Sequence, residues 1–371
     1  MKFELVRLGD YFLLEKGASY TSANLVDESD VGLLTINAFT MGGGYKPNSE
    51  KPFSGHIKDQ YMLSEGDVLL AMTEQDSGLL ASPLVVKIEQ TNFRALLYSL
   101  DVAKVSSVNQ EISPRFLFNV LRIPAFRKRA AYGDTGSTVQ RLPYEALYDL
   151  EIPKPPLLVQ EAIVRLIDSI DEKIRVNGQI ASHLERIAQT IFKSWFIDFD
   201  PVKSKIAGEE PVGVDDETAK LFPDSMEESD FGVIPKSWSW GSLGDIAEVI
   251  DCLHSKKPEL LSEGFPYLQL DTISDRGVLL FENAAFISEA DYKKWTSRIE
   301  VRGGDCVITN VGRVGAVSQV PDHFRAAIGR NITALRPKNQ TLHKSFLIVC
   351  LLSDFMKKEI SRNTDSGTIL E

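Results

Sequence analysis

Residues 157–199 read LLVQEAIVRLIDSIDEKIRVNGQIASHLERIAQTIFKSWFIDF. From residue 163 to residue 195, apolar or small residues recur at alternating intervals of four and three. An average repeat of 3.5 residues, sustained over several heptads, predicts a coiled-coil seam, whereas a helix in a globular core usually has a wider apolar stripe. A core helix within the same chain is the alternative. The predicted contacts with a partner helix are Ile163, Ile167, Ile170, Ile174, Asn177, Leu184, Ile191 and Trp195.

Prolines bound this helix on both sides. Pro155 and Pro156 precede it, and Pro201 follows it. The pair Asn177-Gly178 is either its weak point or a polar layer that fixes the register of the seam. A lone helix with such a stripe is not stable in water, so we expect a partner helix: either another polypeptide supplies it, or the chain is truncated.

An internal repeat flanks the helix. The matches keep the same order along the chain, while the number of residues between matching positions drifts from 235 to 230. Three of the matches are Leu8-Gly9-Asp10 with Leu243-Gly244-Asp245, Thr35-Ile36-Asn37 with Gln269-Leu270-Asp271, and Phe116-Leu117 with Phe346-Leu347. Each match alone is weak, but their collinear order predicts one fold used twice, in residues 1–150 and 236–371. Short β-rich runs and helical stretches at Ser113–Ala131 and Leu342–Ile360 indicate an α+β module in which strands dominate.

Composition excludes several classes of protein. The chain has 371 residues, of which 43% are hydrophobic and 25% charged, as in globular proteins. Its longest apolar run, Phe346 to Leu352, is too short for a membrane span, and the N-terminus has no signal-peptide pattern. We therefore expect a cytoplasmic protein. The three cysteines form no C-x-x-C pair, and the five histidines have no metal-ligand spacing, so no metal is expected.

The net charge of -11 is unevenly distributed. Between Glu209 and Asp230, nine acidic residues accompany a single Lys220, which predicts a solvated acidic linker. The two repeated modules are close to neutral. Charge therefore neither requires nor excludes DNA binding.

Three stretches carry a resemblance to a known family. They are Ile152–Asp168, Ile191–Phe199, and Leu221–Trp238 with the following Leu243-Gly244-Asp245. Together with the repeat, they resemble the DNA-specificity subunits of type I restriction–modification systems. The fold implied is α+β, with two similar mixed α/β target-recognition domains separated by a long coiled-coil-type helix. We predict the first recognition domain at 1–152, the helix at 153–200, the acidic linker at 201–235 and the second recognition domain at 236–371.

The resemblance implies a subunit without catalytic activity. Each recognition domain would read half of a bipartite target in double-stranded DNA, and the helices would set the spacing and dock modification methyltransferase subunits. A restriction translocase subunit then joins the complex, and S-adenosylmethionine, ATP and Mg²⁺ belong to those partners. The family's second conserved helix is missing from this sequence. We expect that a second specificity chain supplies it, or that the chain is truncated.

Motifs agree with the absence of catalysis. The sequence has no phosphate-binding G-x-x-x-x-G-K-[ST] loop, no glycine-rich cofactor loop and no Asn/Asp-Pro-Pro-aromatic motif for amino methylation. A self-sufficient methyltransferase or nuclease is therefore disfavoured. The remaining alternative is a truncated or inactive coiled-coil scaffold that binds the methyltransferase without reading DNA.

Candidate DNA contacts come from polar loops between the strands. In the second module, Asn310 and Arg313 lie in a Gly-flanked loop that could contact a DNA phosphate, and Arg325 and Arg330 bracket another loop. Gln269 and Asp271 of the same module are candidates for reading bases. In the first module, Thr35, Asn37, Glu74 and Gln75 are the base-reading candidates, and Lys46, Lys51 and Lys58 are the backbone contacts. For each of these residues, an ordinary hairpin turn or solvated surface loop is the alternative.

Overall fold

The computed structural model describes residues 3–56, 58–74, 78–130, 140–338 and 344–364. The chain divides into two compact units, Met1–Asn177 and Gly178–Glu371. The domain boundaries given above stay a prediction.

The first unit is built mainly of short strands. Its strands are β1 (Glu4–Arg7), β2 (Phe12–Lys16), β3 (Val31–Leu34), β4 (Lys51–Pro52), β5 (Val68–Ala71), β6 (Thr73–Glu74), β7 (Pro83–Val85), β8 (Ala95–Tyr98), β9 (Val102–Ser107), β10 (Gln140–Arg141) and β11 (Glu151–Lys154). Its short helices are α1 (Pro114–Arg122), α2 (Pro124–Ala130) and α3 (Tyr144–Tyr148).

Two sheets form the body of the first unit. One has the strand order β2-β9-β5-β7, and the other has the order β4-β3-β8, in which β3 and β8 are parallel. Side chains of β5 alternate between two core clusters, as expected from the two-residue period of a strand. Val68 and Leu70 pack with α1, and Leu69 and Ala71 pack against the side of β8. Both faces of β5 are therefore buried.

Helix α4 (Leu157–Phe192) begins on the core of the first unit. The buried Gln160 donates through Nε2 to the carbonyls of Glu111 and Pro155 and accepts at Oε1 from the Ser113 N–H. Ile163 packs against the same core. Ile163 is half-buried there, and its contact with a partner helix stays a prediction.

Two ion pairs fasten α4 to α1. Arg115 contacts Asp168 at 2.6 Å, and Arg122 makes two hydrogen bonds to Asp171 at 2.5 and 3.0 Å. Arg122 therefore has a structural partner on the helix, and the basic end of α1 positions α4.

The second unit contains the end of α4 and the second module. Its strands are β12 (Met226–Ser229), β13 (Gly232–Pro235), β14 (Ala247–Asp251), β15 (Phe265–Leu268), β16 (Gly277–Val278), β17 (Ala285–Ile287), β18 (Val301–Arg302), β19 (Cys306–Thr309), β20 (Val317–Gln319), β21 (Arg325–Ile328) and β22 (Ile332–Pro337). Its helices are α5 (Asp200–Ile206), α6 (Asp216–Ala219), α7 (Leu243–Ile246), α8 (Glu289–Trp295), α9 (Lys344–Leu352) and α10 (Asp354–Arg362).

The second module repeats the strand pairing of the first. In the first, Phe12 faces Ser107 and Val68 faces Val105; in the second, Ala247 faces Pro337 and Cys306 faces Leu335. The parallel pair Leu33–Leu97 likewise has its counterpart in Tyr267–Ala327. The paired positions of the two copies differ by 230 to 238 residues, close to the offsets of 235 to 230 in the sequence repeat. The predicted fold class, two similar α+β modules separated in the chain by a long helix, is confirmed.

Each long helical stretch predicted near the end of a module is two helices. Pro124 begins α2 directly after α1, because proline lacks the N–H that would continue the helix. In the second module, the Ser353 side chain caps α10 by accepting from the Met356 N–H.

An aromatic cluster holds the C-terminal end of α4 in the second unit. The helix continues into a π-helical turn (Lys193–Ile197), and Phe199 adopts a left-handed conformation with φ 56° before α5. Trp195 stacks edge-on against Phe222 at 5.4 Å, and Phe192 contacts Phe346 at 5.6 Å. Trp195 thus packs, half-buried, against aromatic residues of its own unit, and its part in a partner seam stays a prediction.

The acidic stretch after the helix is not a plain solvated linker. It contains α5, α6 and the β12–β13 hairpin, and Val202 and Phe222 are buried. Its acids lie mainly on the surface, while these apolar residues anchor the chain. Within the described ranges, no helix is long and apolar enough to cross a membrane.

Candidate functional site

A polar cleft lies at one edge of the second module. Strands β15 and β21 are parallel, so the residues that follow them, Gln269 and Gly329, lie at the same edge. The cleft has a volume of about 290 Å³ and is lined by Lys257, Tyr267, Gln269, Leu270, Asp271, Gly329, Arg330 and Asn331. Three residues predicted from the sequence, Gln269, Asp271 and Arg330, are therefore brought together here.

The turn that carries Arg330 is rigidly built. A Cβ atom at Gly329 would lie 2.7 Å from the Leu268 carbonyl oxygen, so the close approach of the two strands requires glycine. The Tyr267 ring lies beside the same turn, with its hydroxyl 3.0 Å from where a Cβ atom at Gly329 would stand, and burial raises the pKa of Tyr267 to about 12. Asn331 adopts a left-handed conformation with φ 65°. These contacts fix the backbone of Arg330 and leave its side chain exposed.

The cleft presents cations that have no carboxylate partner among the described residues. Lys257 and Arg330 are exposed, and neither forms an ion pair within the described part of the chain. The Asp271 side chain is exposed as well, while its carbonyl accepts from Asn283 at 2.9 Å. Donors and acceptors of hydrogen bonds therefore stand side by side in one concave surface.

Arg313 and Asn310 make contacts that support the cleft. The Arg313 guanidinium donates to the carbonyls of Leu270 and Ile273 at 3.2 and 2.8 Å and contacts Asp275 at 3.3 Å. Asn310 donates to the Thr333 hydroxyl at 2.9 Å and, through its backbone, to the Asn331 carbonyl. Arg313 therefore holds the turn that carries Asp271, and a phosphate contact for its half-exposed side chain stays a prediction.

Arg325 lies outside the cleft. It begins β21, whereas the cleft is at the opposite end of that strand, about 10 Å away at 3.3 Å per residue. Its guanidinium contacts Glu300 at 3.0 Å. The structure therefore separates Arg325 from Arg330, which the sequence had grouped with it.

Sequence reasoning missed Lys257, Tyr267, Gly329 and Asn331. The repeat could have indicated Gly329 and Asn331, because the residues that follow two parallel strands lie at the same edge of the sheet. Lys257 had no such signal, since it lies in a long loop after β14.

The equivalent edge of the first module has different chemistry. Thr35 is buried, and its hydroxyl accepts from the Asn37 N–H at 3.4 Å, so it caps the turn and is not free to read a base. Asn37 is exposed on that turn. By strand register, Leu100 and Asp101 occupy the positions of Arg330 and Asn331. No arginine therefore stands at this position.

The three lysines of the first module lie along a surface loop. The Lys46 backbone donates to the Ala38 carbonyl, which places Lys46 beside the turn that carries Asn37. Lys51 is half-buried in β4, and Lys58 is exposed before a 3-10 turn (Asp59–Tyr61). None of the three forms an ion pair among the described residues. Their role in DNA contact stays a prediction.

Glu74 has a structural role instead of a base-reading one. Its side chain is buried, and Oε2 accepts from the N–H groups of Gly78, Leu79 and Leu80 at 2.9, 2.5 and 2.9 Å. A carboxylate so engaged cannot also reach a base. Gln75, the neighbouring candidate, lies outside the described residues.

Replacing Glu74 with alanine is expected to destabilise the first unit by about 2 kcal/mol or more, because three backbone N–H groups lose a charged acceptor. Hydrogen exchange measured over residues 78–80 should become faster, and Glu74→Gln, which keeps one acceptor oxygen, should have the smaller effect. Unchanged protection in both variants would contradict this role.

One further cluster has metal-ligating side chains. Atoms of Asp251, Cys252 and His254 lie within 4.8 Å of one another. Cys252 is fully buried, and Asp251 accepts from His254, from the Cys252 N–H and from the Thr333 hydroxyl. Burial alone would raise the pKa of Asp251, but the hydrogen bonds from His254 and the Cys252 N–H hold it below its usual value. Three donors are one fewer than a closed zinc site needs, so we assign the cluster to the support of Thr333 and Asn310. The absence of a metal stays a prediction.

Comparison with known proteins identifies the family. Residues 1–186 match the family described as "Type I restriction modification DNA specificity domain". The chain belongs to this family. Its members among characterised proteins include the type I restriction enzyme HindI specificity subunit of Haemophilus influenzae, which is 26% identical over 303 residues. That match covers 69% of this chain and 64% of the relative.

Two archaeal relatives extend the comparison. The MjaIX specificity subunit of Methanocaldococcus jannaschii is 29% identical over 63% of this chain and 50% of its own length. The MjaVIII subunit of the same organism is 22% identical over 97% of this chain and 77% of its own length. The chain thus spans less than two thirds of the length of the HindI and MjaIX relatives.

A solved structure supports the same fold. The crystal structure of a type I restriction-modification system S subunit from M. genitalium superposes with a TM-score of 0.50 at 16% identity, over 98% of this chain and 80% of that one. At this identity, the likeness concerns the fold alone.

Proposed function

We propose that this chain is the DNA-specificity subunit of a type I restriction–modification complex and that its two modules each read one half of a bipartite target. The observation that carries the proposal is the duplicated module. The two copies pair their strands in the same register, but the side chains that follow the parallel strands differ between them. Two copies of one scaffold with different edge residues fit two different short sequences joined in one target.

The proposal assigns DNA contacts to these two edges. In the second module, the cleft supplies base-reading groups, and Lys257 stands at its margin for a phosphate. In the first module, Asn37 and the neighbouring Lys46 take the corresponding roles, with Lys51 and Lys58 further along the loop. Because each neutralised phosphate releases counterions, binding should weaken steeply as salt rises.

Catalysis belongs to other subunits in this proposal. Methylation with S-adenosylmethionine is assigned to a modification methyltransferase, and ATP-dependent cleavage with Mg²⁺ is assigned to a restriction translocase. A DNA-reading subunit acts where chromosomal DNA is, so the proposal includes a cytoplasmic location.

The exposed stripe on α4 is assigned to a partner helix. Ile170, Ile174, Leu184 and Ile191 expose between 42% and 64% of their surface, and Asn177 lies among them. Ile167, at the start of the stripe, is half-buried. Exposed apolar residues in a four-three repeat favour a helix of another polypeptide, such as a second specificity chain or the methyltransferase.

Replacing Leu184 with glutamate is expected to weaken this association at least tenfold, because the partner seam would have to bury a charge. Analytical ultracentrifugation with and without the methyltransferase subunit measures it. The matched control is His183→Glu, one position away and off the stripe. Equal association by both variants and the unaltered chain would contradict the assignment.

The experiment that tests the proposed function is co-expression with a type I modification methyltransferase subunit in a host that lacks DNA methylation. Adenine methylation is then mapped across the genome. We expect a single gapped motif with two specific halves. Methylation without a motif, or a motif without a gap, would contradict two-module reading.

A further inference from the structure

We infer that Arg330 and Asp271 are the specificity-determining residues of the second module and that together they read a G·C base pair through the major groove. This inference rests on the proposed function, and it names the bases that one of the two edges recognises.

Arg330 has the properties of a base-reading arginine. Its backbone lies between Gly329, where the two strands approach closely, and the left-handed Asn331, while its side chain is exposed and has no ion pair among the described residues. Arginine donates two parallel hydrogen bonds to guanine O6 and N7, which is the commonest specific contact to DNA. A fixed backbone lowers the entropy lost when such a contact forms.

Asp271 makes a phosphate an unfavourable occupant of the same cleft. Its exposed carboxylate is held on a turn that Arg313 and Asn283 fasten through backbone carbonyls. A carboxylate repels a phosphate, but it accepts a hydrogen bond from the N4 amino group of cytosine. The Arg330 guanidinium can therefore donate to the guanine of a G·C pair, while the Asp271 carboxylate accepts from the cytosine.

The remaining cleft residues agree with this division of roles. Lys257 is a flexible, exposed cation suited to the adjacent phosphate, and Gln269 and Asn331 add amide groups able to contact neighbouring bases. In the first module, Leu100 stands where Arg330 stands in the second. The inferred guanine contact is thus specific to one half of the target.

The test repeats the methylation mapping with Arg330→Ala and Arg330→Gln in the full chain. Arg330→Ala should reduce the preference for guanine at one position by roughly 10- to 100-fold. Arg330→Gln should shift that position toward adenine, because glutamine pairs with adenine N6 and N7. The other half of the motif should stay unchanged in both variants.

One control and one further variant make the outcomes distinct. The control, Arg325→Ala, removes an exposed arginine of the same module that lies outside the cleft and should leave the motif unchanged. Asp271→Asn tests the second residue and should relax the position that pairs with the guanine. Circular dichroism confirms that each variant is folded. An unchanged motif in Arg330→Ala, or an equal loss of methylation at all sequences, would overturn the inference while the proposed function stands. If the unaltered chain gives no motif, the proposed function fails, and the inference fails with it.

Discussion

Replacing Arg336 with alanine is expected to lower the free energy of unfolding of the second unit by about 3–5 kcal/mol. The Arg336 guanidinium makes two hydrogen bonds to Asp305, at 2.9 and 2.6 Å, and a third to the Glu300 carbonyl at 2.9 Å. These contacts raise the pKa of Arg336, chiefly through the hydrogen bond to Asp305. The Asp305 side chain is only 3% exposed, so without Arg336 a charge would be buried with no counter-charge.

Tryptophan fluorescence isolates this effect, because all four tryptophans, Trp195, Trp238, Trp240 and Trp295, belong to the second unit. The matched control is Arg325→Ala, which breaks the more exposed pair with Glu300 and should cost less than about 1 kcal/mol. The double variant Arg336→Ala/Asp305→Asn should lose less than the sum of its single changes. A loss below 1 kcal/mol for Arg336→Ala would contradict the buried-pair account.

Deleting residues 177–183 from α4 is expected to shorten the gap in the DNA target and to leave both half-sequences unchanged. Seven residues shorten a helix by about 10 Å and turn it through nearly two full turns. At about 10 base pairs per 34 Å, the gap should shrink by about three base pairs. The original target should then lose methylation almost completely.

A two-residue deletion in the same stretch is the control. It turns the following residues by about 200° about the helix axis, so no gapped motif should be recovered. A half-sequence that changes while the gap stays constant would contradict the role of α4 as the element that sets the gap.

Periodicity and self-similarity predicted the long helix and the two copies of one module, and the family resemblance supplied the rest of the fold. The four-three spacing predicted α4 nearly to its observed end, and weak matches such as Leu8-Gly9-Asp10 with Leu243-Gly244-Asp245 predicted two copies of one module. The strand register shows why these matches kept their order: each offset belongs to strands that pair in the same way in both copies.

The errors arose where tertiary contacts decide a residue's role. Glu74 and Arg313 look like exposed polar loop residues, but each satisfies backbone groups that only the folded loop brings near. Ile163 and Trp195 fit the heptad pattern as well as Ile174 does, yet each is half-buried against its own unit, which the pattern alone does not reveal. The acidic stretch was misjudged because its buried Val202 and Phe222 are few among many charges.

The candidate site was predictable in part. Gln269, Asp271 and Arg330 were identified as separate polar positions, and only the parallel pairing of β15 with β21 shows that they share a cleft. Lys257 could not be placed, because a loop's path depends on packing that local sequence does not specify.

The most direct test of the central claim is selection of random duplex DNA by the full chain, followed by sequencing of the retained fragments. Two short enriched sequences separated by a constant gap are the predicted result, and Arg330→Ala should alter only one of them. Retention without sequence enrichment, or enrichment of a single uninterrupted sequence, would contradict the reading of DNA by two modules.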